Sequence, residues 1–234
     1  MPARKSNWNG SPEKPPAGRR LVRLGLWRNR LREELSVPLT STALSNARPA
    51  PWLRACGIVL AGSAFVAVCA HVVLPLNFTP VPLTLQTFAV LLLGLLLSPR
   101  LAAGTLAAYL AEGALGLPVF SPAPAIPGGL AHLLGPTGGY LLAYPAAAAL
   151  ISILWRRARL SNWGGGFAGA AVSAAAGNVF ILGCGGLWLA ALTHASAPSA
   201  LALGVFPFLP GDALKIAAAA AVAAGFRRFR RSAG

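Results

Sequence analysis

Long apolar stretches alternate along this chain with short polar or proline-rich ones. A membrane-spanning helix needs about 17–25 mostly apolar residues. Six stretches meet or approach that length: 55–74, 81–97, 101–117, 137–154, 166–193 and 209–226. The pattern therefore predicts an all-α membrane protein in which residues 55–226 form a bundle of six transmembrane helices.

The two ends of the chain differ from this membrane domain. Residues 1–54 form a basic extension, and its first 18 residues, with their prolines and small polar side chains, are typical of disorder. Within 19–35, leucines and a tryptophan fall on one helical stripe and arginines on the other faces. This pattern indicates an amphipathic helix on the inner membrane surface, with a poorly ordered basic tail as the alternative. Residues 227–234 predict a basic cytoplasmic tail.

Composition narrows the class of protein. Hydrophobic residues make up 56% of the chain and charged residues 11%, with a mean hydropathy of +0.63. Because soluble domains carry about 25% charged residues, these values exclude a disordered chain and an ordinary soluble enzyme. The net charge of +15 would suit a nucleic-acid partner. The charges lie at the ends of the apolar segments, however, so membrane topology explains them and we expect no nucleic-acid binding.

The positive charges also predict an orientation, because Lys and Arg concentrate in cytoplasmic loops. With the N-terminus inside, every Lys and Arg outside the predicted spans falls on the cytoplasmic side, in segments 1–54, 98–100, 155–165 and 227–234. The outer segments 75–80, 118–136 and 194–208 contain none. Both termini are therefore predicted to be cytoplasmic, in a multi-pass protein of the cell membrane.

The outer segment 118–136, PVFSPAPAIPGGLAHLLGP, is apolar yet rich in proline and glycine. Such a composition predicts an irregular loop without a regular helix. An apolar loop at this depth is tolerated where it is buried in protein or lines a cavity. It would serve either as a lid over a binding site or as simple packing against the helix ends.

Several kinds of chemistry are missing from the sequence. It contains no GxxxxGK[ST], HExxH, GxSxG or CxxC motif, so nothing indicates a phosphate loop, a metalloprotease or a hydrolase. The three histidines and three cysteines lack ligand spacing, so we expect no metal and no cofactor. Glu112 and Asp212 are the only carboxylates in the membrane region. The sequence is typical of a protein that binds or moves a ligand rather than of an enzyme.

Two charged residues stand where a span is expected. Asp212 and Lys215 lie three apart in FLPGDALKIAAAAAVAAGF, so they share one helix face. Pro210 and Gly211 suit a helix start, which places the pair near the outer surface. Asp212 could simply cap the helix, but charge within a span is costly and usually functional. We therefore interpret the pair as ligand-binding.

Three uncharged polar residues complete the candidate substrate-binding set. Gln86 opens the second span, Tyr140 follows Gly138 and Gly139 in the fourth, and Asn178 lies within the fifth. Gln86 and Asn178 either reach a ligand or bond a neighbouring helix. Tyr140 equally suits an interfacial aromatic belt.

Three strings of this chain, within about residues 55–226, together resemble the BioY family of biotin-binding S components of energy-coupling factor transporters. They are TPVPLTLQTFAVLLLGLLLSPRLAAGTLAAYLAEGALGLPVF, GGLAHLLGPTGGYL and FPFLPGDALK. The resemblance implies a six-helix bundle that captures biotin from outside. It also implies assembly with a transmembrane T component and two cytoplasmic ATPase subunits.

The same resemblance assigns ligand contacts. It implies Asp212 and Lys215 from PGDxxK, Gln86 from the LQ motif and Tyr140 from GPTGGY. The chain departs from the pattern at Leu141, where some family members carry a basic residue. The alternatives to a biotin subunit are an S component for another vitamin, or a membrane scaffold that binds no small ligand.

Overall fold

A computed structural model describes residues 50–74, 76, 79–122, 128–160 and 166–232. The predicted surface helix 19–35 lies outside this part of the chain. The helices of the described part are α1 (Pro51–Ala70), α2 (Gln86–Leu96), α3 (Pro99–Ala114), α4 (Leu130–Leu134), α5 (Gly138–Leu160), α6 (Phe167–Thr193), α7 (Ala197–Gly204) and α8 (Leu209–Ser232). A hairpin of β1 (Val73–Leu74) and β2 (Leu83–Thr84) joins α1 to α2, and a 3₁₀ turn (Phe206–Phe208) precedes α8.

Among the described residues, four segments are long and apolar enough to cross a membrane, by length and composition: Pro51–Ala70, Gly138–Leu160, Phe167–Thr193 and Ala197–Phe229. The other two predicted spans form shorter helices. α2 has 11 residues, because residues 83–84 pair with β1 instead of continuing the helix. α3 has 16 residues and starts at Pro99, where the Ser98 Oγ accepts a hydrogen bond from the Leu101 N–H at 3.4 Å.

The predicted outer segments contain more helix than the sequence indicated. The expectation that 118–136 holds no regular helix is wrong for Leu130–Leu134, which forms the short helix α4 between Gly129 and Gly135. Proline-free sequence between two glycines allows this single turn. In the segment 194–208, Ala197–Gly204 forms α7. Ser196 caps it by accepting a hydrogen bond from the Ser199 N–H.

Glycines let α5 and α6 pack closely. A Cβ at Gly177 would lie 2.2 Å from Cγ1 of Ile151, and one at Gly185 would lie 2.1 Å from the Tyr140 ring. No larger residue fits either position without movement of its neighbour. Small residues are usual where helices meet in membrane bundles. The hydrophobic effect does not drive helices together in lipid, so their association depends on van der Waals packing at close backbone distances.

The helices α5 and α8 begin at one end of the bundle and finish together at the other. At their far end Trp155 is only 2% exposed, and the guanidinium carbons of Arg159 and Arg227 lie 5.7 Å and 5.3 Å from its ring centroid. We call the part around Trp155 and Ile151 the arginine half. The part around the starts of α2, α5 and α8 is the cavity half, and it contains the candidate site.

Candidate functional site

A cavity of about 50 Å³ lies in the cavity half. This volume holds only a few water molecules, so a larger ligand requires the lining side chains to move apart. All five residues singled out from the sequence line it, although they come from four different helices. The full lining is Val81, Pro82, Leu83, Thr84, Gln86, Thr87, Ser121, Thr137, Tyr140, Leu141, Tyr144, Asn178, Ile181, Leu182, Phe208, Asp212 and Lys215.

Asp212 and Lys215 form a buried ion pair in this cavity. The Lys215 Nζ lies 3.0 Å from the Asp212 Oδ1, and the two side chains are 9% and 4% exposed. Asp212 sits in the first turn of α8, where the helix dipole favours a negative charge. The shared helix face expected from the spacing is therefore confirmed. The pair carries no net charge.

Asn178 extends the pair onto α6. Its Nδ2 donates to the other carboxylate oxygen, Asp212 Oδ2, at 3.0 Å. Its Oδ1 is buried and has no hydrogen-bond partner among the described residues. A buried acceptor without a donor is costly, so this oxygen is set up to accept a hydrogen bond from a ligand N–H group.

Gln86 belongs to a second polar chain. Its Nε2 donates to the Tyr109 hydroxyl at 2.8 Å, and that hydroxyl donates to the Val119 carbonyl oxygen at 3.0 Å. Tyr109 is fully buried. The relay fixes the amide nitrogen of Gln86 on the side of Tyr109. The amide of Gln86 is thereby oriented by α3 and by the start of the outer segment.

Tyr140 contributes its ring to the cavity, and its hydroxyl is already engaged. The hydroxyl donates to the Gly204 carbonyl oxygen at 2.5 Å, which ties α5 to α7. The ring lies over Gly185 and 6.3 Å from the Phe208 ring. Tyr140 is therefore a buried wall of the cavity and offers an aromatic surface to whatever binds there.

Sequence reasoning missed several lining residues. Tyr144 lies one helical turn after Tyr140, which is a spacing that could have revealed it. Thr137 precedes the two glycines of the GPTGGY string, and its hydroxyl is buried without a hydrogen-bond partner among the described residues. Ser121 comes from the outer segment and gave no sequence signal. These hydroxyl groups make the cavity more polar than the original five residues suggested.

Glu112 and Trp188 lie outside the cavity lining. Glu112 accepts a hydrogen bond from the Ser63 Oγ at 2.8 Å, so it links α3 to α1. The Trp188 indole N–H donates to the Gly135 carbonyl oxygen at 2.9 Å and holds the segment before α5 against α6. In the part of the chain that the structure describes, no three His, Cys, Asp or Glu side chains come together as metal ligands.

Comparison with known proteins gives a consistent result. A family model described as the BioY family matches residues 40–232. The chain is 38% identical over 144 residues to the probable biotin transporter BioY of Pyrococcus horikoshii, covering 62% of this chain and 79% of that protein. It is 34% identical over 163 residues to the biotin transporter BioY of Thermotoga maritima, covering 69% and 88%.

One solved structure matches the fold. It is the crystal structure of the S-component for biotin from an ECF-type ABC transporter, with a TM-score of 0.67 and 26% sequence identity. The match covers 75% of this chain and 92% of that one. The mostly helical membrane fold is therefore that of an S component.

Proposed function

Because the chain belongs to the BioY family of biotin transporters, we propose that it is the substrate-binding S subunit of an energy-coupling factor transporter for biotin. It captures biotin at the outer face of the cell membrane and delivers it inward with an ATP-driven module. The family consists of transport proteins, so the chain is a transport component and not an enzyme.

The observation that carries this function is the buried polar cluster of Asp212, Lys215 and Asn178. Biotin has a ureido ring with two N–H donors and one carbonyl acceptor. Asp212 and the Oδ1 of Asn178, which has no partner among the described residues, accept from the N–H groups, and Lys215 donates to the ureido oxygen. Charged hydrogen bonds in an apolar site give both affinity and orientation. Gln86 and the Tyr140 ring complete the contacts.

The proposed topology has six membrane crossings with both termini in the cytoplasm. The one-sided distribution of Lys and Arg supports it, as does the arginine half at the far ends of α5 and α8. In this topology α2 and α3 are the two short crossings, and the hairpin of β1 and β2 caps the outer end of α2. The cavity then faces outward, where biotin arrives.

The proposed partners are a transmembrane T component and two cytoplasmic ATPase subunits. The chain has no GxxxxGK[ST] phosphate loop, so the ATP-driven step requires another protein. The similar S component is likewise described as a part of an ECF-type ABC transporter.

The test is biotin binding to the detergent-purified full chain, measured by titration calorimetry for the wild type, Asp212→Asn and Lys215→Met. The matched control is Glu112→Gln, which also neutralises a membrane carboxylate but lies outside the cavity lining. We expect tight wild-type binding, retained in the control and lost by about 100-fold or more in both cavity variants.

The outcome also separates the alternatives. A folded wild type that does not bind biotin but binds another vitamin would be an S component of different specificity. The scaffold would be favoured by two results together. The wild type would bind no vitamin, and the double variant of Asp212→Asn and Lys215→Met would still assemble with its partners.

A further inference from the structure

The arginine half ends in a dense positive charge. α5 ends with three arginines and α8 with four. The described ranges contain two carboxylates, and both are engaged elsewhere: Asp212 pairs with Lys215 in the cavity half, and Glu112 accepts a hydrogen bond from Ser63. Residues 1–49 are also basic in composition, with ten Lys or Arg against three Glu. The chain therefore offers little negative charge to balance this end.

Two of these arginines are held against one aromatic ring. The guanidinium carbons of Arg159 and Arg227 lie 5.7 Å and 5.3 Å from the ring centroid of the buried Trp155. Arg159 follows Trp155 by one turn of α5, and Arg227 follows Ala223, a member of the same core, by one turn of α8. Because helical side chains lean toward the helix N-terminus, both arginines reach back over the ring, where cation–π attraction holds them.

This arrangement suits a phosphate group. Each guanidinium presents a planar fork of N–H donors that matches phosphate oxygens in pairs. Two like charges held near one ring repel each other, and an anion between partners of this kind relieves the repulsion. Packing on Trp155 also restricts both side chains before binding, which lowers the entropy lost when an anion is bound. Arg159 is exposed and Arg227 is half-buried, so both remain accessible from the surface.

Exposed apolar side chains stand beside these charges and indicate which anion fits. Leu160 at the end of α5 and Phe226 and Phe229 on α8 are each more than half exposed. The two phenylalanines flank Arg227 and Arg228 in the sequence. Aromatic and basic side chains at the end of a spanning helix are typical of the membrane interface. A soluble phosphate would leave the apolar groups in water, whereas a phospholipid supplies both a phosphate and acyl chains.

We propose that the ends of α5 and α8 bind the headgroup of an anionic phospholipid, and that Arg159 and Arg227, held on Trp155, bind its phosphate. The acyl chains lie against the exposed apolar side chains of the same helices. In the proposed topology this is the cytoplasmic leaflet, where anionic lipids attract basic groups between helices. The bound lipid joins α5 to α8 and stabilises the arginine half. It lies apart from the cavity, so the assignment does not depend on the biotin function.

The test measures lipid binding to the purified full chain in detergent. Dioleoyl phosphatidylglycerol is compared with dioleoyl phosphatidylcholine, which has the same acyl chains and no net charge, and with inorganic phosphate as a soluble anion. Native mass spectrometry during a lipid titration gives the number of bound lipids and the apparent affinity. Thermal unfolding gives the stabilisation by each additive, and unfolding without additive checks that each variant is folded.

Three double variants separate a specific site from general surface charge. Arg159→Gln with Arg227→Gln removes both charges, and Arg159→Lys with Arg227→Lys keeps the charges but removes the planar forks. The matched control is Arg54→Gln with Arg100→Gln. It removes two exposed arginines on the same predicted side of the membrane, from helices α1 and α3, which contribute no residue to the described core around Trp155.

We expect the wild type to bind phosphatidylglycerol more tightly than phosphatidylcholine by about 30-fold, about fivefold for each arginine. This comparison does not depend on any variant folding. The double Gln variant of Arg159 and Arg227 should lose that preference, and the double Lys variant should retain part of it. The control should bind phosphatidylglycerol within about twofold of the wild type. Biotin affinity should stay within about twofold in all of them.

Three results would overturn the assignment. One is a wild type that binds the two lipids equally well, and another is an equal loss of phosphatidylglycerol binding in the Gln variant and in the control, which would mean general surface charge. The third is equal stabilisation by inorganic phosphate, which would mean a soluble anion and not a lipid. A chain that prefers the anionic lipid but binds no biotin would leave this assignment intact, since only the proposed function would then fail.

Discussion

In the arginine half, Trp155 and Ile151 are enclosed by the small side chains of Ala219, Ala220 and Ala223, and these core residues are apolar. In the cavity half, a carboxylate and an ammonium group are buried together. Both halves are contacts among the same long helices, so the difference lies in side chains and not in backbone architecture. The arginine half gains its stability from close packing, whereas the cavity half contains groups that are costly to bury.

This difference indicates that the arginine half stabilises the fold and that the cavity half serves function. Replacing a buried ion pair by apolar residues of similar size is often neutral or stabilising by about 1–4 kcal/mol. The pair in the cavity half is therefore poorly explained by stability alone, and it is well explained by a ligand. Substitutions in the two halves should consequently separate folding from binding.

The largest effect is expected from breaking the ion pair on one side. Asp212→Ala leaves the ammonium group of Lys215 buried without its counter-charge, which should lower the free energy of unfolding by about 3–5 kcal/mol and abolish biotin binding. The measurements are thermal unfolding and biotin titration of the purified chain.

The double variant Asp212→Leu with Lys215→Met serves as the control, because it removes both charges at similar volume. It should recover most of the stability without recovering binding. A double variant as unstable as Asp212→Ala would mean that the pair is a stability element after all.

A smaller effect, confined to stability, is expected in the contact between α5 and α6. Gly177→Ala places a Cβ 2.2 Å from Cγ1 of Ile151, so the side chain must move and the variant should lose about 1–3 kcal/mol of unfolding free energy. Gly183→Ala, in the same helix but with nothing within 4 Å of its Cβ, should be neutral or slightly stabilising. Biotin affinity should stay within about twofold of the wild type in Gly183→Ala. Equal melting temperatures for the two variants would contradict the packing argument.

Much of the cavity half could be predicted from the sequence, because its costly residues stand out against an apolar background. Asp212, Lys215 and Asn178 were identifiable as polar groups within spans, and the structure brings them together in one cavity. Their roles toward biotin remain predictions. Thr137 could not be singled out, since a Thr before two glycines also suits an ordinary turn.

The short elements were less predictable for a physical reason. Hydropathy counts apolar residues but does not distinguish helix from strand, so it places residues 81–84 in a span although 83–84 pair with β1. Leu130–Leu134 and Ala197–Gly204 are too short to give a helical period above their surroundings. The count of six crossings and the cytoplasmic termini stay predictions, because only charge and length bear on them.

The relay behind Gln86 should have a moderate effect on binding. Tyr109→Phe leaves the Gln86 Nε2 and the Val119 carbonyl oxygen without their shared partner, so the Gln86 amide is free to rotate. We expect biotin affinity to fall by about five- to tenfold, equivalent to about 1 kcal/mol. Ser63→Ala is the control, because it removes a hydroxyl that bonds Glu112 outside the cavity. If both variants bind biotin equally well, Tyr109 has no positioning role.

A last effect is expected from pH and concerns His132, which lies in the short helix α4 of the outer segment. Burial lowers the pKa of His132, and its ring stacks on Phe120 at 5.0 Å between centroids. The folded chain therefore keeps this imidazole neutral at a pH where the unfolded chain, with a pKa of about 6.5, takes up a proton. The contribution of the neutral His132 to the free energy of unfolding is thus fully present above about pH 6.5. It falls as the pH drops below that value, by at most about 1.4 kcal/mol per pH unit.

Melting temperatures between pH 7.5 and 5 should show this slope in the wild type and lose it in His132→Phe. The exposed His194, at φ 52°, gives the control His194→Asn, which should retain the slope. A wild type as stable at pH 5 as at pH 7.5 would show that protonation of His132 does not affect the packing around Phe120.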